Sequence, residues 1–221
     1  MPSSESAPAR SSDDGLRQRL IATTVDAVDA VGVTHVSMRS VTRELGVSHT
    51  APLRHFSGFA DLLAEVAAVG FDELRRRAER ASEAVAVGAG AVERLTEACQ
   101  AYVAFAVDRP ELFALMFRPD VLAPTNARYV ASSRAAHRAF ARLVLHAQDA
   151  GLASDVATAE ANAAVWSMVH GLAVLWTSGP LRDTLAPGTE RRDVVARAVG
   201  LLVRARPPLD QQASAGVSTR E

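Results

Sequence analysis

The 221-residue sequence predicts an all-α protein, and three observations carry that prediction. Ala, Leu, Arg and Glu, all good helix formers, dominate the interior of the chain. The β-branched residues fall at helical spacing instead of the alternation of a strand. Glycines and prolines stand where they cut the chain into segments of helix length. Hydrophobic residues make up 48% of the sequence, which supplies a core and argues against global disorder.

The first segment, residues 16–31, lines up Leu16, Leu20, Thr24, Ala27, Val28 and Val31 on one face and meets Gly32 at its C-terminal end. A second, 37–45, starts at Ser37, a good N-cap, points Met38, Val41 and Leu45 inward and stops at Gly46. The third, 50–56, follows after a short turn and carries Pro52 in its first turn, where a missing N–H costs little. The fourth is long, 59–85, with Leu62, Leu63, Val66, Val69, Leu74, Ala78 and Ala81 tracking one face until Gly88 and Gly90. Helices over 91–107, 110–117, 126–150, 155–178 and 190–203 complete a count of nine. Residues 1–14 and 205–221 are polar or Pro-rich and are expected to be disordered tails. The division expected is therefore a three-helix domain over 15–60 and a six-helix bundle over 61–204.

Composition removes several function classes. The net charge is −1, so any nucleic-acid contact must come from a local patch. Every one of the 24 basic residues is Arg, so each cationic contact is a planar guanidinium. Cys99 is the one cysteine, which excludes a disulfide framework and suits a buried helical thiol in a reducing compartment. Residues 1–14 have no apolar run and do not read as a signal peptide, and no stretch reaches about 18 apolar residues, so a soluble intracellular protein with no membrane partner is expected. A glycine-rich phosphate loop, H-E-x-x-H, a nucleophile elbow and a paired-carboxylate motif are all missing, which argues against an enzyme and against a cofactor. His137 and His146 are nine residues apart on one helix, too far to share a metal.

The run from Ser37 to Phe56 carries the chemistry. Two short helices flank a turn whose Gly46 tolerates positive φ, and Val47 and Phe56 are placed to pin the second helix. Ser48, His49, Thr50, Arg54 and His55 are left on a face without core duty, as short or planar groups able to reach base edges and phosphates in a major groove. Three Arg against one Glu give only a weak positive charge, and a helical hairpin with a solvated polar face satisfies the same pattern.

Gly46-Val47-Ser48, His55-Phe56 and Asp61-Leu62-Leu63, after a first helix closed by Gly32, together resemble the DNA-binding domain of the TetR/AcrR family. Trp166-Ser167-Met168-Val169-His170-Gly171 is a W-x-x-x-H-G pattern similar to the C-terminal effector domain of one TetR subfamily. The stretches 102–106 and 109–117 resemble that subfamily too. The resemblance implies a ligand-responsive regulator in the bacterial cytoplasm, associated with the nucleoid. The default is a repressor released from a palindromic operator by a small apolar effector. An activator, or a helical binding module with weakened DNA affinity, remains the alternative.

On this reading Ser37, Arg39, Arg43, Ser48, His49, Thr50, Arg54 and His55 face duplex DNA. Ser48 caps the recognition helix, His49 and Thr50 are the base-edge candidates, Arg54 meets guanine or phosphate, and the resemblance makes His55 a phosphate contact. Two positions depart from the family: Leu53 stands where Tyr is usual and Phe59 where Lys or Arg is usual, both phosphate contacts. Arg17, Arg19, Arg39 and Arg43 are the candidates to compensate. The effector is expected among Tyr102, Phe105, Phe113, Met116, Phe117, His137, Trp166, Met168, His170 and Trp176, although each aromatic could equally be plain core. The last two helices, through Ala161, Val165, Leu172, Val194, Ala198 and Leu201, are expected to form a homodimer contact.

Overall fold

The computed structural model describes residues 8–153 and 155–204. Its elements are α1 (Pro8–Val31), the 3-10 turn η1 (Val33–His35), α2 (Met38–Glu44), the 3-10 turn η2 (Ala51–Arg54), α3 (Phe59–Glu83), α4 (Ala91–Asp108), α5 (Pro110–Met116), α6 (Ala127–Asp149), α7 (Thr158–Thr177), α8 (Pro180–Thr184) and α9 (Arg191–Arg204). Among the described residues there is no strand, and no helix is long and apolar enough to cross a membrane. The all-α expectation holds.

Three details differ from expectation. Helix α1 begins at Pro8, inside the stretch expected to be an N-terminal tail, since Pro is well suited to a first turn. A short α8 occupies part of the expected loop after Gly179, again with a proline at its start. The third helix is absent as an α-helix: a turn at His49 and Thr50 leads into η2. Pro52 has no N–H to give the Ser48 carbonyl, so Ala51 N takes it at 3.1 Å, and Leu53 N and His55 N continue the same i−3 pattern to Thr50 and Pro52. The tails over 1–7 and 205–221 lie outside the described residues.

The chain divides into two compact units. Unit 1 comprises Met1–Arg77 and Ala104–Ala139; unit 2 comprises Ala78–Val103 and Phe140–Glu221. This grouping differs from the boundary expected at residue 60, and the reason is packing inside unit 1. Arg109, ahead of α5, bonds Asp29 of α1 and Glu73 of α3, drawing α5 and the first part of α3 onto the head helices. Gly70 of α3 lies against Met116 and Leu112 of α5 so closely that a Cβ there would stand 2.6 Å from Met116 Sδ. Leu20, Val28, Leu62, Val66, Leu74, Phe105, Leu112, Leu115 and Met116 are buried in this unit.

In unit 2 the buried residues include Leu95, Cys99, Tyr102, Phe140, Val144, Leu152, Ala161, Val165, Val169, Ala173, Val195 and Val199. Helix α7 buries the i, i+4 stripe Ala161, Val165, Val169 and Ala173. Gln100 Nε2 donates to the Arg192 carbonyl at 2.6 Å, and Arg192 bonds Glu97 at 2.8 Å, fastening α9 to α4. Burial pushes the Cys99 thiol up to about 12, as suits an inert core thiol.

Candidate DNA-reading surface and aromatic core

Helix α2 is closed at both ends by its own sequence. Ser37 Oγ accepts from Ser40 N at 3.1 Å while Ser37 N donates to Ser40 Oγ at 2.9 Å, a reciprocal cap. At the other end Gly46 takes φ 66°, its N–H reaches the Arg43 carbonyl, and Val47 N reaches the Thr42 carbonyl at 3.1 Å. That double bond pattern is a Schellman ending, and it turns the chain sharply toward the reading segment. Val41, Thr42, Pro52 and Phe56 are buried beneath it.

Above that core, Arg39, Arg43, Ser48, His49, Thr50, Leu53 and Arg54 are all exposed. Arg39 and His49 line a surface depression together with Met38. His55 is half-buried, with its ring edge-on to Phe56. Ser37 is exposed and caps α2 with its side chain, as its place at the helix start implied. Ser48 does not cap η2: its hydroxyl lies 3.1 Å from that of Thr50, and the cap position, Thr50, makes no side-chain cap bond.

Arg17, a candidate to replace missing phosphate contacts, is engaged inside unit 1. Its guanidinium bonds Glu65 at 2.8 Å and sits 5.5 Å over the Phe56 ring. Arg19 is exposed and Phe59 half-buried. Asp61, in the first turn of α3, accepts from Ser57 N at 2.9 Å and from Asn126 at 2.8 Å. Burial opposes its ionisation, but these donors and Arg17 hold its carboxyl below the usual range.

The ten residues expected around an effector separate into the two units. In unit 1, Phe105 and Phe113 are edge-on at 6.3 Å, and Phe113 and Phe117 at 5.2 Å, with Phe71 joining at 5.4 Å from Phe117. Met116 is fully buried, while His137 is exposed on α6. In unit 2, Tyr102 is the hub: Phe140 stands edge-on to it at 5.5 Å and Trp166 at 5.6 Å. Its hydroxyl lies 3.0 Å from His170 Nδ1. Burial pushes the Tyr102 phenol well above its usual range, so it stays protonated, and burial holds the His170 imidazole below its ordinary value. A neutral His170 and a protonated Tyr102 therefore share one hydrogen bond through Nδ1. Met168 and Trp176 are half-buried.

Unit 2 also contains an apolar cavity of about 340 Å³, lined by residues that include Leu152, Val156, Ala161, Ala164, Val165 and Leu202. None of the ten expected effector residues lines it, but two residues expected in the dimer contact do. Ala161 and Val165, expected in the dimer contact, are each 2% exposed in the single chain and belong to the buried stripe of α7. Leu172, Val194 and Ala198 are half-buried, and Leu201 is exposed. Among the described residues no three His, Cys, Asp or Glu side chains form a metal-binding group.

Comparison with known proteins assigns the family. The sequence profile described as tetracyclin repressor-like, C-terminal domain, matches residues 95–205, half of the chain. The chain belongs to the TetR family. The fold of this TetR-family chain is similar to that of a protein of unknown function from Rhodococcus sp. RHA1, at 31% identity, TM-score 0.72, covering 86% of this chain and 94% of that one. It is also similar to the TetR-family transcriptional regulator PfmR from Thermus thermophilus, at 19% identity and TM-score 0.60, with 84% and 97% covered. The regulator FadR from Bacillus subtilis, in complex with stearoyl-CoA, is similar at 13% identity and TM-score 0.57, again with 84% and 97% covered. Both of these named neighbours are transcriptional regulators. No curated protein matches the chain.

Proposed function

We propose that this TetR-family regulator acts as a cytoplasmic, nucleoid-associated repressor that reads a palindromic operator and leaves it when a small apolar effector binds. The observation that carries the reading is the exposed set His49, Thr50 and Arg54, flanked by Arg39 and Arg43, over the buried Pro52 and Phe56. Packing anchors the segment from beneath and leaves its donors to a groove. Arg39, Arg43 and Arg19 are the phosphate anchors of choice, since Arg17 is tied to Glu65.

Homodimerisation is supported by α7, which is apolar nearly all round. One stripe is buried, and Ala164, Val174 and Leu175 lie exposed, as does Leu201 of α9. Two copies would hold their reading segments about 34–36 Å apart, one turn of duplex. For the effector, the cavity of about 340 Å³ in unit 2, lined mainly by apolar side chains such as Leu152, Val156, Val165 and Leu202, suits a small apolar molecule. The FadR complex with stearoyl-CoA supports the capacity of this fold for a ligand that carries a long apolar chain. Operator release requires the effector to favour the state that does not bind DNA, so operator must weaken effector binding by the same factor.

The test is an electrophoretic shift on DNA upstream of the protein's own coding sequence and on duplexes selected from a randomised pool. A discrete complex of two protomers on a palindrome is expected. Binding that never exceeds non-specific affinity would leave a helical ligand-binding module in its place.

A further inference from the structure

The reading segment contains one residue that its polar neighbours do not explain. Leu53 is 64% exposed in the middle of η2, between the buried Pro52 and the exposed Arg54. A lone exposed leucine is ordinary on a protein surface. This one, however, shares η2 with Arg54 and directly follows the turn that carries His49 and Thr50, the groups argued to enter the major groove, and it can neither donate nor accept a hydrogen bond. The 3-10 geometry sharpens its position. Leu53 N bonds the Thr50 carbonyl at 3.1 Å, so the two residues are one turn apart, and side chains three apart eclipse in such a turn. Thr50 and Leu53 therefore bring methyl groups to one outward edge, with Arg54 beside them.

B-DNA offers an apolar group in the major groove at one place, the C5-methyl of thymine. We propose that Leu53 is a specificity residue that reads a thymine methyl in each operator half-site, with the Thr50 methyl extending the same contact. This rests on the DNA-binding reading above. Placed over any other base edge, Leu53 would strip water from a polar group and return nothing for it. The residue thus selects thymine by contact and penalises other bases by desolvation.

The experiment uses the full chain and a duplex selected from a randomised pool. Each thymine of one half-site is replaced in turn by deoxyuridine, which keeps the pairing and deletes only the methyl. Affinities are measured at low salt, where phosphate contacts strengthen every complex together. For the unaltered protein, one position is expected to weaken by roughly three- to fivefold, the scale of one buried methyl. In Leu53→Ala, which alters an exposed side chain and leaves the fold intact, that penalty is expected to shrink below about twofold. Uniform indifference to deoxyuridine, or a penalty undiminished in Leu53→Ala, would overturn the inference while the DNA-binding reading stands. Failure to recover any preferred duplex would overturn both.

Discussion

His49 and Arg54 are exposed on a segment whose inward residues are locked, so each can be removed without disturbing the core. Replacing either with Ala is expected to cost about 1–3 kcal/mol at one operator position if it reads a base, and an equal loss on all sequences if it holds phosphate. Competition titrations on single-base operator variants separate the two. His170 gives a different kind of prediction. Its folded-state pKa lies below the ordinary 6.5 because burial disfavours the charged ring. Below that value the unfolded chain binds more protons than the folded one, so this contribution is complete above 6.5 and is lost as pH falls toward the depressed folded value. The melting temperature should therefore fall on acidification less steeply in His170→Gln than in the unaltered protein. Parallel slopes would remove His170 from the balance. Exposure at the reading segment was legible from the sequence, because the polar residues fall between the apolar Val47, Pro52 and Phe56. The commitment of Arg17 to Glu65 was not, since the two are far apart along the chain and meet only through the packing of α1 on α3.

At the scale of elements, helix ends were the most legible feature. Gly32, Gly46, Gly151 and Gly179 all adopt positive φ at or beside helix boundaries, as a residue without Cβ allows. The recognition helix misled because Pro52 reads equally as a helix start and as a missing donor, and only the surrounding bonds decide for the 3-10 form. The caps and clasps carry measurable stability. Ser37→Ala removes the reciprocal cap of α2 and is expected to cost about 1 kcal/mol in denaturant unfolding. Arg109→Ala leaves the carboxylates of Asp29 and Glu73 without their shared cation and should cost more, roughly 1–3 kcal/mol after allowance for their partial exposure. Arg109→Lys should recover only part of that, because one compact ammonium lacks the separate planar N–H groups with which the forked guanidinium meets Asp29 through Nε and Nη2 and Glu73 through Nη1. Equal stability of the Ala and Lys variants would show that the fork contributes nothing.

For the whole molecule, the all-α class and the family resemblance followed from motif spacing, but the grouping into units did not. It depends on α5 and the first part of α3 packing with the head helices, which no local pattern announces. The split of α7 into a buried stripe and exposed positions was not legible for a related reason: an apolar helix gives little contrast between its faces, so the buried Ala161 and Val165 could not be told from the exposed Ala164 and Leu175. The exposed Leu201 makes the dimer testable without touching that core. Leu201→Glu should convert the dimer to a monomer in sedimentation analysis and abolish operator binding together. The most direct test of the central claim is the affinity of the full chain for a selected palindromic duplex, measured against the same duplex scrambled, in the unaltered protein and in a His49→Ala, Arg54→Ala double variant. Strong preference for the palindrome, lost in the double variant while non-specific binding remains, is the expected result. Equal affinity for both duplexes, or a preference that survives the double substitution, would contradict it.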